Sequence, residues 1–277
     1  MILDYVKYPV WTVWRFLVDF RLALRNTRIM AVSFWRTIYI GTRTARTLER
    51  NEATWSPRTR GRYMWHMASR HWARWVLDRA EIKVVPVGLD RVDWSRPHVI
   101  VSNHQSTLDI LVVAASVPSG RFVAKKEILR YPAVGPGCER GAQILIDRGD
   151  HAQSMSAIRA GVEAWRDCNL IFFAEGARTL TGELGPFKKG AFAIASETGL
   201  GIVPVAISGT FDALPKGSLL RLRRQPHVRI EFGEEIAPEG SVESLAERSH
   251  DAVAAMIKPS DAAERVLAGF PSLQPGS

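Results

Sequence analysis

The 277-residue chain is poor in cysteine, with only Cys138 and Cys168, neither in a C-x-x-C or other metal-ligand spacing. That excludes a scaffold framed by disulfides and a cysteine-built metal site, and makes a reduced, cytosolic setting the expectation. Long apolar runs are missing too. A spanning helix needs about 20 consecutive apolar residues, whereas the N-terminal runs are broken by Arg15, Asp19, Arg21, Arg25, Arg28 and Arg36. No uninterrupted apolar stretch with a small-residue cleavage site is present, so no secretory signal is expected. No repeat period is visible, which sets aside repeat architectures.

What is present is unevenly distributed. The net charge is +9, which taken alone suggests a nucleic-acid binder. Residues 1–80, however, hold 15 Lys+Arg, 14 of them Arg, against 5 Asp+Glu, and the other 197 residues hold 22 against 23. Seven of the nine Trp lie in the same stretch: Trp11, Trp14, Trp35, Trp55, Trp65, Trp72 and Trp75. Basic side chains mixed with indole rings suit an interface with anionic lipid headgroups, where one end of the ring is wet and the other dry. Val10, Val13, Trp14, Leu17, Phe20 and Leu24 recur at helical spacing, and further helices are expected over roughly Ile29–Leu48 and Arg62–Leu77. Residues 1–80 therefore read as a helical, amphipathic segment that lies on a membrane rather than crossing it, peripheral on its cytoplasmic face.

Beyond residue 80, short β-branched runs alternate with amphipathic stretches. Strands are predicted at Ile82–Val87, His98–Ser102, Phe122–Ala124, Gln143–Ile146, Leu170–Phe173, Ile202–Ile207 and Val228–Phe232. Helices are predicted at Thr107–Ser116, Ala152–Arg166, Gly190–Thr198 and Val242–Ile257. The alternation gives an α/β fold over 81–258 with a mainly parallel sheet flanked by helices, followed by a loosely held tail over 259–277.

Three predicted strands run directly into polar segments that a plain connection does not require. These are Asn103-His104-Gln105-Ser106-Thr107-Leu108-Asp109, Lys125-Lys126-Glu127 and Glu175-Gly176-Ala177-Arg178. Ligands of open α/β sheets bind beyond the carboxyl ends of the strands, so the three segments can converge. His104 is a base near neutral pH, and a carboxylate on its other ring nitrogen sets its tautomer. Taken alone, the His104–Asp109 spacing is cheap to obtain by chance and reads better as a helix-capping turn with a buried, satisfied histidine. Arg178 beside Gly176 suits a phosphate, with Lys188 and Lys189 further along the same electropositive loop. A surface ion pair with Glu175 is the plainer alternative.

In combination these segments resemble the four ordered blocks of the glycerolipid acyltransferase family, of the 1-acyl-sn-glycerol-3-phosphate acyltransferase type. N-H-x-x-x-x-D is similar to Asn103-His104 through Asp109, and K-K-E-L leading to P-x-x-G and I-D-R is similar to Lys125-Lys126-Glu127-Ile128, Pro132, Gly135 and Ile146-Asp147-Arg148. F-P-E-G-T-R-S is similar to Phe173 through Thr179, and V-P-V to Val203-Pro204-Val205. Two departures, Ala174 for Pro and Ala177 for Thr, free the turn and remove a hydroxyl. The resemblance implies His104, Asp109 and Glu175 as catalytic residues, with Arg178, Lys125, Lys126 and Gly176 binding the acceptor phosphate. It further implies transfer of an acyl group from acyl-CoA or acyl carrier protein to 1-acyl-sn-glycerol 3-phosphate, giving phosphatidic acid. The donor is a substrate, no cofactor or metal is expected, and the oxyanion would sit against backbone amides of the His104 turn or the Glu175–Gly176 turn.

Two competing readings remain at this stage. The acceptor can be another lysolipid, such as a lyso-aminolipid, or glycerol 3-phosphate. Alternatively, the chain is a non-catalytic peripheral membrane-binding module. Nucleic-acid binding is disfavoured, since no RNA-binding aromatic motif accompanies the basic segment.

Overall fold

The computed structural model describes residues 9–130, 143–147, 151–164, 168–215 and 227–258. Pro9 opens the first helix, α1 (Pro9–Arg50), where a missing N–H costs nothing. Two helices are expected here and one is found. The supposed break, Arg25-Asn26-Thr27-Arg28, contains no Gly or Pro. Arg25 instead ties the helix to the body, donating to the Ala80 carbonyl at 3.2 Å and lying 3.4 Å from the Glu81 carboxylate. At about 1.5 Å per residue, α1 is about 63 Å long.

Ser56 caps α2 (Pro57–Met64), its hydroxyl accepting from the Thr59 N–H at 3.2 Å. The chain continues as a π-helical segment, Trp65–His71, and then as α3 (Trp72–Arg79). The expected boundary at residue 80 runs through one core, because Trp65, Ala73 and Leu77 are buried with the sheet residues.

The strands are β1 (Lys83–Val87), β2 (Val99–Ser102), β3 (Arg121–Lys125), β4 (Ile144–Ile146), β5 (Leu170–Phe173), β6 (Ile202–Ser208) and β7 (His227–Phe232). Between them come α4 (Leu108–Ser116), α5 (His151–Ala164), α6 (Gly190–Thr198) and the short α7 (Thr210–Ala213), with α8 (Val242–Met256) last. Among the described residues, seven strands form one sheet in the order β1-β7-β6-β2-β5-β3-β4. Every pairing is parallel except β6 with β7, so β7 and its neighbour β1 run against the other five.

β2 and β6 are buried along their whole length, as their uninterrupted apolar runs require of a sheet covered on both faces. Ile100, Ile171, Val203, Val205 and Ile207 face a core shared with the π-helical segment, α3 and α4. Val99, Val101, Leu170, Phe172 and Ile202 face a second core shared with α5, α6 and α8. This alternation by residue number is the period-2 rule at work.

Among the described residues, no helix is long and apolar enough to cross a membrane. Several expectations lie outside the described residues: the side chains of Val10, Val13, Trp14, Leu17 and Phe20, then Pro132, Gly135, Cys138, Arg148, Trp165 and Arg166, and the tail from 259.

Candidate active site

The sheet order places β2, β5 and β3 side by side and parallel, so their carboxyl ends share one edge. Asn103, the first residue past β2, fixes the turn there. Its side-chain N–H donates to the Ile207 carbonyl and its oxygen accepts from the Ile207 N–H, both at 2.8 Å. This amide thus replaces a backbone partner across to β6. Ser106 pins the other side, donating to the Leu214 carbonyl at 2.6 Å.

Between these anchors, His104 Nδ1 lies 2.8 Å from Asp109 Oδ2. Asp109 is fully buried, and the same oxygen accepts from the backbone N–H groups of Gln105 (2.6 Å) and Ser106 (2.7 Å). A carboxylate already holding two amide donors stays an acceptor towards the ring, so Nδ1 carries the proton and Nε2 keeps a lone pair. Among the described residues nothing bonds to Nε2, and the His104 side chain remains 13% exposed. The ring lies flat on Phe173, with centroids 3.9 Å apart at 13°. Behind Phe173 come Phe122 at 6.1 Å and then Trp65 at 5.7 Å from Phe122, so a row of rings runs from the imidazole to the N-terminal helices.

Glu175 has a different task from the one its motif suggests. One carboxylate oxygen accepts from the His104 N–H at 2.6 Å and the other from the Gly185 N–H at 2.9 Å. Burial pushes its carboxyl above the usual carboxylate range, outweighing the pull of those two amides. It is a clasp between two loops, acting on the histidine through the backbone. The amides of His104, Gln105 and Ser106 are therefore engaged with Glu175 and Asp109, and that of Gly176 with the Phe173 carbonyl at 2.9 Å. None of these four is left for an oxyanion.

Arg178 reaches back across the turn, donating to the Thr107 hydroxyl at 2.5 Å, while the Thr179 N–H donates to the His104 carbonyl at 2.9 Å. Gly176 sits at φ +75°, the left-handed region that favours glycine, and a Cβ there would come 2.9 Å from the flexible end of the Lys188 side chain. Lys125 and Lys126 stand exposed at the end of β3, on the same edge but without a described contact to this network. The expected freeing of the turn at Ala174 does not occur. Its N–H, which a proline would lack, donates to the Ser102 carbonyl at 3.0 Å, and its carbonyl accepts from Lys188 at 2.8 Å.

The structure thus joins His104, Asp109, Glu175, Gly176 and Arg178. Sequence reasoning missed the roles of Asn103, of Gln105, whose side-chain N–H donates to the Gly182 carbonyl at 2.9 Å, and of Phe173. Asn103 and Gln105 flank the histidine as polar residues at a strand end, a usable signal, whereas Phe173 reads as any strand residue.

Residues 79–208 match the family model described as Acyltransferase. Curated relatives include the chloroplastic 1-acyl-sn-glycerol-3-phosphate acyltransferase BAT2 of Brassica napus, 37% identical over 44% of this chain and 36% of that protein. The alpha form of the same-named enzyme in Homo sapiens is 38% identical over 54% of each chain. The chain spans about a third to a half of the length of the curated relatives it matches. The crystal structure of the 1-acyl-sn-glycerophosphate (LPA) acyltransferase PlsC from Thermotoga maritima shares the fold, with a TM-score of 0.69 over 93% of this chain and 100% of that one at 24% identity.

Proposed function

We propose that the chain is an acyltransferase, a reading supported by the match of residues 79–208 to the Acyltransferase family model. It moves a fatty acyl group from acyl-CoA or acyl carrier protein to the free hydroxyl of 1-acyl-sn-glycerol 3-phosphate, forming phosphatidic acid. The observation that carries the reading is the His104–Asp109 pair, with Nε2 open at the carboxyl edge of the sheet and Arg178 on the adjoining turn.

His104 Nε2 takes the proton of the acceptor hydroxyl as its oxygen attacks the thioester carbonyl. Asp109 holds the ring and stabilises the imidazolium that forms. Collapse of the tetrahedral intermediate expels the thiolate, which receives that proton from Nε2. Ester and thiol are the products. No acyl-enzyme is required, because a thioester is already activated. Arg178 offers the acceptor phosphate a bidentate guanidinium, and Lys125 and Lys126 add positive charge from the next strand end.

The test is acyl transfer by purified protein from labelled acyl-CoA or acyl carrier protein to a panel of lysolipids, with His104→Ala as control. Phosphatidic acid formed by the wild type alone supports the reading. Transfer only to another lysolipid corrects the acceptor, and no transfer to any overturns it.

The membrane reading rests on α1, where Leu24, Val32, Phe34, Trp35 and Tyr39 are exposed, Trp35 by 68%. Arg28, Arg43 and Arg46 are exposed on the same helix. Indole and guanidinium together suit the cytoplasmic face of an anionic bilayer. Deleting residues 1–80 would remove Trp65, Ala73 and Leu77 from the core, so substitution is the sounder experiment. Phe34→Ser with Trp35→Ser should abolish flotation with anionic liposomes, and undiminished flotation would place the anchor elsewhere.

A further inference from the structure

The loop that returns from the Glu175–Gly176 turn to α6 carries two successive lysines, and the structure treats them differently. Lys189 is ion-paired with Glu243 at 2.5 Å. Phe187, just before them, packs inward against Phe192 (6.3 Å) and edge-on to His250 (5.1 Å). Lys188, between the two, is sent across the turn. Its own N–H is bonded to the Ala174 carbonyl at 2.8 Å, which fixes its Cα beside the end of β5. Its Cδ, Cε and Nζ then lie 2.9, 2.9 and 3.2 Å from the point where a Gly176 Cβ would stand.

Among the described residues, the Lys188 ammonium has no hydrogen bond and no ion pair. The nearby acid does not claim it, since both oxygens of Glu175 are taken by backbone amides. An uncommitted lysine waving in solvent is ordinary. Lys188 is exposed too, but the Cδ–Nζ end of its side chain lies over the Gly176 turn instead of pointing away from it. Two residues further on, the same turn carries Arg178. A phosphate monoester bears about 1.5 to 2 negative charges near neutral pH. The Arg178 guanidinium leaves part of that charge unmatched, and Lys125 and Lys126 stand at the next strand end without a described contact to this turn.

We propose that Lys188 is the second arm of the acceptor clamp, pairing with the phosphate dianion opposite Arg178, and so separates phosphate-bearing lysolipids from uncharged ones. The inference rests on the acyl-transfer reading above and adds the residue that sets acceptor class. Arg178 supplies planar, directional donors, and Lys188 supplies a compact point charge that tolerates rotation of the phosphate.

The experiment compares full-length wild type, Lys188→Met, Lys188→Arg and Lys189→Met on 1-acyl-sn-glycerol 3-phosphate and on monoacylglycerol, with acyl-CoA as donor. Lys188→Met should raise KM for the phosphate-bearing acceptor by about 10- to 100-fold with kcat little changed, as loss of one charge-assisted contact implies. Turnover of monoacylglycerol should not fall. Lys188→Arg should restore most of the affinity, and Lys189→Met should match the wild type. A wild-type KM in Lys188→Met overturns the proposal while leaving acyl transfer intact. If the wild type transfers to no acceptor, that reading fails instead. Binding of 1-acyl-sn-glycerol 3-phosphate to His104→Ala, with and without Lys188→Met, then decides the clamp by itself, equal affinities overturning it.

Discussion

Strand β2 has a histidine near an acid at each end, and the two ends are not alike. At its amino end, His98 has its Nε2 3.4 Å from Glu235, is completely buried, and has no hydrogen bond to either ring nitrogen among the described residues. Glu235 is occupied elsewhere, held by Arg96 through two hydrogen bonds of 2.9 and 2.5 Å. At the carboxyl end, Asp109 is bonded to the His104 ring and oriented by two backbone amides, and the far side of the ring is open. Proximity of acid and imidazole is therefore not the mark of a site. What separates the ends is a carboxylate with no stronger claimant, a donor set that fixes its orientation, and a nitrogen left over for a substrate.

Substitutions that break this contrast rank by how much of it they remove. His104→Ala deletes the base and should lower kcat by about 10²–10⁴-fold with an unchanged unfolding midpoint. His98→Phe removes an unbonded buried imidazole and should leave turnover as it is. Comparable losses in both variants would dissolve the distinction.

Asp109→Asn comes next. An amide oxygen at the Oδ2 position can keep both backbone donors and the Nδ1–H, but the negative charge that stabilises the imidazolium is gone. Turnover should fall by about 10²–10⁴-fold while the fold persists. Steady-state kinetics beside circular dichroism checks both halves of that statement.

Arg178→Ala should act on the acceptor, raising KM for 1-acyl-sn-glycerol 3-phosphate by about 10- to 100-fold and leaving the donor KM unaltered. An unaltered acceptor KM would remove the guanidinium from the clamp.

The smallest effect belongs to Glu175→Gln, which keeps one amide acceptor and loses the other, for about 1–3 kcal/mol of stability. Its pH dependence has a definite sign. The folded-state value is raised by burial, so the protonated carboxyl favours the folded state. That contribution is complete below the ordinary glutamate value of about 4.3 and is lost as pH rises through the raised one. Denaturant titrations should show the wild type losing stability relative to Glu175→Gln as pH increases across that window. A constant difference would mean the carboxyl is not perturbed.

Much of this was legible in the sequence, for physical reasons. Seven strands could be read because a sheet buried on both faces demands apolar runs such as Ile202–Ile207, and the adjacency of His104 and Asp109 follows from a short turn. What escaped were long-range placements. The reversed β7, Lys188 lying over Gly176, and Phe173 as the surface beneath the imidazole all depend on how separate segments meet. The two expected N-terminal helices failed for another reason. A polar interruption at Arg25–Arg28 looks like a break, yet here Arg25 is bonded to Ala80 and Glu81 and the helix runs on. Glu175 was placed in the chemistry by its motif, and only the geometry shows its oxygens spent on the amides of His104 and Gly185.

The π-helical segment at Trp65–His71 sets a phase. Residues seven apart on an α-helix of 3.6 residues per turn point nearly the same way, whereas a wider i→i+5 turn rotates one against the other. Trp65 accordingly aims its N–H at the Val117 carbonyl beside the sheet, while Trp72 aims its own at the Thr37 hydroxyl on α1, 2.8 Å away. The segment thus works as a gear between two surfaces, letting one stretch of helix address the α/β domain and the long arginine-rich helix together. Deleting one residue within it would leave every aromatic ring in the chain and still turn Trp72 off its partner, unmeshing α1 from the body without touching either.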